Sequence, residues 1–308
     1  VFFLLNAGLL FLAGTILQTR GIQWLWLILV ASLPLSELAS AMLQNMAGRI
    51  FGARVLPALA LTQGIPTTLR TLVAVPVLLS SSKDIRQHLQ QLEEHYLAVG
   101  QGDISFALLS DFTDAPQQHL PDDHALLQQA IDGIAALNQH YTAGVSGPRF
   151  LLLHRQREYN PAEHSWMGKE RKRGKLTDLN LQLRSIGRSR FCTSSTQYPD
   201  LSDVVPSGVR YVITLDADTR LPRNSAIKLV GKMAHPLNQA QFCPQQQRVI
   251  AGYGILQPRV TPSLALANQS SRYLRLSAGP AGIDPYAGAV SDIYQDLFTE
   301  GSFTGKGI

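Results

Sequence analysis

Two aspartates one residue apart, Asp216 and Asp218, close the apolar part of the stretch YVITLDADTRLP. The β-forming residues before them predict a strand over residues 210–216, and side chains at i and i+2 of a strand point to the same face. Two like charges on one face are unfavourable unless a positive group lies between them. Mg²⁺ or Mn²⁺ carrying a diphosphate would be such a group, since magnesium binds one or two carboxylates together with substrate phosphates. The motif therefore predicts metal assistance to a departing nucleotide diphosphate.

The motif has two other interpretations. The aspartates could be solvated loop carboxylates, or a helix cap before Pro222, and this alternative stays open at the level of the motif. Phosphatases of the haloacid-dehalogenase kind also end a strand on two such aspartates, with a small residue and then Thr or Val after the second. Here Thr219 and Arg220 follow, and the predicted strand is the fourth rather than the first, so the phosphatase pattern fails.

A basic run, ERKRGK, leads into a predicted helix over residues 175–186. Gly174 and Lys175 are predicted at the junction of loop and helix, where a lysine can lie along phosphates while the helix N-terminus adds its dipole. A solvated basic face, or a contact to lipid headgroups, is the alternative. Nucleic-acid binding is not supported, because the run is short and lacks interleaved aromatic residues.

Acidic residues follow two further segments. Asp111 and Asp114 come after the second predicted strand, where Asp111 suits a base or ribose contact and a turn-forming role is the alternative. Glu300 lies in a glycine-rich turn, with an ordinary loop charge as its alternative. The histidines are scattered, and no pair of them has the spacing of a metal site or a catalytic triad.

Alternating strands and helices place these residues on one edge of a sheet. Apolar strands are predicted over 71–79, 104–111, 149–155, 210–216 and 249–258, and helices over 83–99, 122–141 and 175–186. Continuous apolar strands between helices are typical of an α/β fold with a mainly parallel sheet covered on both faces. Ligands of such sheets bind beyond the carboxyl ends of the strands.

The N-terminal residues are far more apolar than the rest. The chain has 308 residues of which 16% are charged, against about 25% in ordinary soluble proteins, and Arg20 and Glu37 are the only ionisable side chains of residues 1–48. We predict two transmembrane helices in residues 1–48, a juxtamembrane linker over 49–68 and a catalytic domain over 69–308. A buried helical hairpin is the alternative.

Charge predicts the orientation and the compartment. Arg49, Arg54 and Arg70 follow the second predicted span, which places the downstream domain in the cytoplasm by the positive-inside rule. Cys192 and Cys243 are far apart and have no metal-ligand spacing, in agreement with a reducing compartment. The net charge of +5 is compatible with an anionic ligand or a membrane surface.

The order of these motifs resembles a known family. SDFTDA, RGKLTDLN and TLDADT follow one another as in the nucleotide-sugar-binding half of processive family-2-type glycosyltransferases, which share the GT-A fold. ERKRGKL, YVITLDADTRLPR, MAHPLN, GYGILQPRVTPS and GIDPYAGAVSDIYQDLFTEGSFTGKGI are similar to blocks of the cyclic β-1,2-glucan synthases, and these blocks extend over essentially the whole chain.

The resemblance implies an activity. Members of that family are inner-membrane proteins that transfer glucose from UDP-glucose, with inversion, to a growing β-1,2-glucan acceptor. Another processive β-polysaccharide synthase, or a sugar-nucleotide binder without turnover, is the alternative. Full-length members carry further membrane helices and a phosphorylase-like region, and we read this chain as part of a longer protein.

The resemblance also implies roles for residues. Asp111 matches the aspartate that contacts uracil, Lys175 matches a lysine near the diphosphate, and Asp216 with Asp218 matches the metal-binding pair.

The C-terminal blocks bear on the acceptor side of the site. Asp284 and Glu300 are predicted to line the substrate pocket. The catalytic base is expected beyond Ile308, because Gly301 stands where the related synthases have an aspartate.

Overall fold

The structure is a computed structural model and describes residues 1–51, 55–99, 101–185, 191–192 and 207–258. The described residues fall into two units, an N-terminal one within Val1–Leu56 and an α/β one within Pro57–Leu256.

Two apolar helices form the N-terminal unit, α1 (Phe2–Ile16) and α2 (Gln23–Phe51). The Trp24 ring lies against Gly14, where an added Cβ would be 2.0 Å from the indole, and it stacks on Phe11 with ring centroids 6.4 Å apart. This contact holds the two helices together as a hairpin.

The length of these helices bears on the two predicted membrane spans. Of the helices in the described part of the chain, one is long and apolar enough to cross a membrane: the window Gln23–Leu43 in α2 has 21 residues and a mean hydropathy of 1.7. Helix α1 has 15 residues, whereas a perpendicular span needs about 20. Both membrane spans therefore stay predictions, and α2 is the candidate among the described helices.

A five-stranded sheet forms the centre of the α/β unit, in the order β6-β3-β2-β1-β7. Its strands are β1 (Thr71–Leu79), β2 (Ile104–Phe112), β3 (Phe150–Arg155), β6 (Phe191–Cys192) and β7 (Tyr211–Thr214). The four strands β3, β2, β1 and β7 are parallel, and β6 pairs antiparallel with β3. The predicted α/β class with a mainly parallel sheet is confirmed at this level.

Four helices cover the sheet: α3 (Ser82–Val99), α4 (Asp123–His140), α5 (Arg171–Leu183) and α6 (Ser225–Ala234). Phe106 and Leu108 of β2 pack on one face with side chains from α3, α4 and α6. Ala107 and Leu109 pack on the opposite face with Leu179 of α5. Because β2 is buried along its whole length, its sequence has no polar alternation.

Two short hairpins complete the described unit. One pairs β4 (Glu158–Asn160) with β5 (Ser165–Met167), and the other pairs β8 (Gln241–Cys243) with β9 (Arg248–Ala251). The fifth strand, predicted over 249–258 as part of the main sheet, is instead β9 of an antiparallel hairpin. The predicted pairing was therefore wrong, because apolar composition does not determine which strand a segment pairs with.

Candidate functional site

The two aspartates of the opening motif lie in a turn rather than on a strand. Strand β7 ends at Thr214, and the Leu215 amide still donates to the Ala74 carbonyl of β1 at 3.0 Å. The chain then turns, and the Thr219 amide donates to the Asp216 carbonyl at 2.9 Å. Asp216 is partly exposed and Asp218 is exposed. The strand predicted over 210–216 is therefore one residue too long at its start and two residues too long at its end, and the alternation of a strand does not govern this pair.

The ammonium of Lys172 forms an ion pair with the Asp216 carboxylate. Lys172 lies in the first turn of α5, and both side chains are partly exposed. The sequence pattern does not distinguish Lys172 from its neighbours, because ERKRGK contains cations at several successive positions. The signal that could have found it is helical spacing: Lys172 and Lys175 are three residues apart, so one helix face presents both.

Lys175 is placed more deeply than predicted. Helix α5 begins at Arg171 rather than at 175, so Gly174 and Lys175 lie within the helix and not at its junction with the loop. The Lys175 ammonium donates to the Val77 carbonyl at 2.5 Å and lies 3.3 Å from Oδ2 of Asp111. Only 2% of its surface is exposed.

Asp111 belongs to the same buried cluster. It is paired in register with Arg155 of β3, and the guanidinium donates to both carboxylate oxygens, each at 2.9 Å. Arg155 also donates to Asp178 of α5 at 2.7 Å. We call Asp111, Arg155, Lys175 and Asp178 the Asp111–Arg155 network. Its formal charges sum to zero, which is the condition for burying ionised groups at low cost.

Glycines allow this network to close. A Cβ at Gly168 would lie 2.1 Å from Oδ2 of Asp111, and a Cβ at Gly174 would lie 2.0 Å from the Lys169 carbonyl oxygen. Real Cβ atoms do not approach that closely, so a side chain at Gly168 would displace the Asp111 carboxylate, and a side chain at Gly174 would displace the backbone that leads into α5. Gly174 thus has a packing role in this structure.

Burial and charge shift several pKa values around the network. Burial lowers the pKa of Lys175, and the negative charge of Asp111 opposes that shift without cancelling it. Burial also acts against the charged form of Arg155, but the hydrogen bonds and charges of Asp111 and Asp178 outweigh it and raise the pKa of that guanidinium. The two carboxylates therefore favour the charged form of Arg155, and Asp111 also favours the charged form of Lys175.

A buried histidine lies on the opposite face of the same sheet edge. Nδ1 of His154 is 2.9 Å from the Ser110 hydroxyl, and its ring packs edge-on against Phe112. Burial lowers the pKa of His154 to about 4, so the imidazole is neutral at physiological pH.

The third predicted acid, Asp114, lies on the surface beside the start of α5. Arg171 donates to Asp114 at 2.9 Å and to Glu163 at 3.0 Å, and all three side chains are largely exposed. Exposed ion pairs of this kind contribute about 0–1 kcal/mol to stability. Asp284 and Glu300 lie outside the described residues.

The donor set of the aspartate pair fits a divalent metal that also binds phosphate. Within the described ranges no group of three or more His, Cys, Asp or Glu side chains could hold a metal ion. Asp216 and Asp218 supply two carboxylates, and magnesium characteristically combines one or two carboxylates with phosphate oxygens and waters. Such a set needs a phosphate ligand to be complete.

These groups lie where an α/β protein binds ligands. Acids and lysines gathered at the carboxyl ends of parallel strands occupy the position where open α/β sheets bind their ligands.

No family model matches the chain. The curated cyclic beta-(1,2)-glucan synthase NdvB of Rhizobium meliloti (strain 1021) is 44% identical to it over 282 residues.

The matched region makes up 92% of this chain and 10% of NdvB. The resemblance predicted from the sequence blocks is therefore confirmed: the chain matches a segment of a cyclic β-(1,2)-glucan synthase. The chain spans about a tenth of the length of that relative.

Proposed function

We propose that this chain contributes the donor-binding part of a membrane-bound glucosyltransferase that builds β-1,2-glucan from UDP-glucose. The observation that carries the proposal is the Lys172–Asp216 ion pair at the turn after β7, with Asp218 exposed beside it. It occurs in a chain that is 44% identical to a segment of a cyclic β-(1,2)-glucan synthase.

Asp216 and Asp218 are the residues that would hold Mg²⁺ or Mn²⁺. When bound, the metal supplies positive charge to the leaving diphosphate. Lys172 reaches the same turn from α5, so its ammonium can exchange a contact with Asp216 for a contact with a phosphate oxygen. The amides and dipole at the start of α5, a helix of 13 residues, favour an anion at the same place.

The roles predicted for Asp111 and Lys175 need a rearrangement in this proposal. Both side chains are 2% exposed and are paired with each other, and Asp111 is also paired with Arg155. A contact from Asp111 to uracil, or from Lys175 to the diphosphate, requires part of the network to open. In the closed arrangement the two residues instead fix the position of α5, and Lys172 is the lysine at the donor.

The transfer itself would invert the anomeric carbon. The acceptor 2-hydroxyl forms a new bond to that carbon from the face opposite UDP, and the bond from the carbon to the phosphate oxygen breaks. The hydroxyl proton passes to a base that we place outside the described residues. Positive charge held ready at the leaving group is an electrostatic contribution of the kind that is often the largest in catalysis.

The N-terminal helices would attach this site to a bilayer. Helix α2 has the length and hydropathy of a span, and we propose that α1 inserts with it as a tilted or partly interfacial helix. The basic residues that follow α2 favour a cytoplasmic catalytic domain. The bacterial inner membrane is the proposed location.

Turnover in membranes tests the proposal. Membranes from cells that produce this segment within a longer protein, together with the region proposed to hold the base, are given labelled UDP-glucose and Mn²⁺, and linkage analysis identifies the product. Asp218→Asn should lower glucose incorporation at least about a hundredfold, because one of two metal carboxylates is lost. Asp132→Asn, an exposed carboxylate on α4, is the matched control and should leave incorporation unchanged.

Three results would contradict this function. Incorporation unaffected by Asp218→Asn would remove the metal assignment. Incorporation into a glucan without 1,2-linkages would show that the chain serves another β-polysaccharide synthase. A protein that binds UDP with Mn²⁺ yet transfers no glucose in membranes would be a sugar-nucleotide binder without turnover.

A further inference from the structure

We propose that Arg155 is a positioning residue of this site, which holds the first turn of α5 so that Lys172 meets Asp216. The inference rests on the proposed function for its catalytic meaning, while its structural part stands without it. Arg155 touches neither Asp216 nor Asp218 among the contacts of the described residues. It acts through the helix that carries Lys172.

The contacts of the guanidinium join the sheet to the helix. Nε and Nη2 donate hydrogen bonds to the Asp111 carboxylate at the end of β2, both at 2.9 Å. Nη1 donates to Asp178 in the middle of α5 at 2.7 Å, and Nη2 donates to the carbonyl of Arg171, the first helical residue, at 3.2 Å. One planar group thus fixes two points of α5 relative to one point of the sheet.

The start of α5 is not stabilised by its own sequence. Its N-cap residue, Glu170, has a φ of 52° and makes no side-chain capping hydrogen bond, and Arg171 follows with a φ of 47°. Positive φ at two successive non-glycine residues is sparsely populated and persists only where surrounding contacts impose it. The hydrogen bond from Arg155 to the Arg171 carbonyl is such a contact.

The rotation of α5 about its axis decides where Lys172 points. Lys175 is anchored to the Val77 carbonyl and to Asp111. Lys172 lies three residues earlier on the same helix face and pairs with Asp216. Since the first turn is held by Arg155 and the second by Lys175, loss of the guanidinium fork frees the turn that contains Lys172.

A lysine cannot replace this fork. Arginine presents five donors in one plane, whereas the lysine ammonium is a compact charge with no bidentate geometry. Arg155→Lys keeps the positive charge and so keeps the network neutral. It removes the simultaneous contacts to Asp111, Asp178 and the Arg171 carbonyl, and therefore isolates the positioning role.

The chain offers a matched control in Arg157. Its side chain is also buried, and it pairs with Asp123 at 2.5 and 3.1 Å. Its other hydrogen bonds in the described part of the chain go to the carbonyls of Thr113 and Gln118. Arg157→Lys thus disturbs a buried arginine–carboxylate pair of the same kind that does not contact α5.

The first experiment measures amide hydrogen exchange of the full chain in detergent micelles. Arg155→Lys should raise exchange of the amides over residues 171–175 at least about tenfold relative to the parent protein. Arg157→Lys should leave those amides unchanged and raise exchange near residues 113–123 instead. Equal exchange over 171–175 in both variants would overturn the inference, and this outcome does not depend on the proposed activity.

The second experiment is a double-mutant cycle on UDP-glucose turnover in membranes. Arg155→Lys should raise the KM for UDP-glucose about tenfold, the range found when a residue that orients a ligand is changed. If Arg155 acts through Lys172, the double variant Arg155→Lys with Lys172→Met should have the same KM for UDP-glucose as Lys172→Met alone. Fully additive losses would overturn the inference. A parent protein that does not turn over UDP-glucose would instead count against the proposed function.

Discussion

The substitution Asp111→Asn should strongly destabilise the α/β unit. Asp111 accepts two hydrogen bonds from Arg155 at 2.9 Å and has the Lys175 ammonium 3.3 Å away. The network contains two cations and two carboxylates, so removal of one carboxylate leaves a net positive charge in a buried place. Breaking a buried ion pair from one side costs about 3–5 kcal/mol, against a typical unfolding free energy of about 5–15 kcal/mol.

Thermal unfolding of the full chain in detergent micelles, followed by circular dichroism, measures this loss. A domain of roughly 150–250 residues loses about 2–4 °C of Tm per kcal/mol, so Asp111→Asn should lower Tm by roughly 6–20 °C. The control is Asp114→Asn, which removes an exposed carboxylate three residues away and should change Tm by less than about 3 °C.

A second substitution that makes the network neutral again tests whether charge balance stabilises it. Asp111→Asn combined with Lys175→Met removes one cation along with the lost anion and makes the network neutral again. The double variant should therefore melt several degrees above Asp111→Asn. If Asp111→Asn melts within about 2 °C of the parent protein, or if Lys175→Met lowers its Tm further, the buried charge balance does not stabilise this fold.

Two further predictions concern packing and pH. Gly174→Ala places a Cβ 2.0 Å from the Lys169 carbonyl oxygen and should lower the free energy of unfolding by about 1–3 kcal/mol. The control is Gly254→Ala, whose Cβ meets Val249 at 3.9 Å and should leave Tm within about 2 °C of the parent value. Equal losses of Tm in the two variants would contradict this packing. Because the pKa of His154 falls to about 4 on folding, its contribution of about 3 kcal/mol is complete above pH 6.5 and declines as the pH falls toward 4. Urea unfolding at pH 7 and pH 4.5 should show a smaller loss of stability on acidification for His154→Gln than for the parent, and identical losses would refute the assignment.

The central strands could be predicted from sequence because they are buried on both faces. The predicted segments 71–79, 104–111 and 149–155 differ from β1, β2 and β3 by at most one residue at either end. Parallel strands covered by helices have continuous apolar side chains, and turn residues bound them. The helix predicted over 83–99 differs from α3 by one residue at its start. It could be predicted because α3 has a regular apolar stripe.

The start of α5 could not be predicted in this way. Its first residues, Arg171 to Arg173, are charged and show no apolar period, so the sequence pattern begins only near Leu176. The helix begins at Arg171, whose carbonyl accepts a hydrogen bond from a residue distant in sequence, Arg155. Strand β6 has two residues, which is too short for any periodicity to appear.

By itself, the sequence determined the order of the central strands and of α3, α4 and α5, the position of Asp216 and Asp218 after an apolar strand, and the blocks shared with cyclic β-1,2-glucan synthases. These are properties of neighbouring residues or of contiguous segments. Only the tertiary structure decided which charges meet: Lys172 pairs with Asp216, while Lys175 is buried with Asp111. Ion pairs between distant strands and helices depend on register, helix rotation and burial, and none of these is encoded in the local pattern of the basic run.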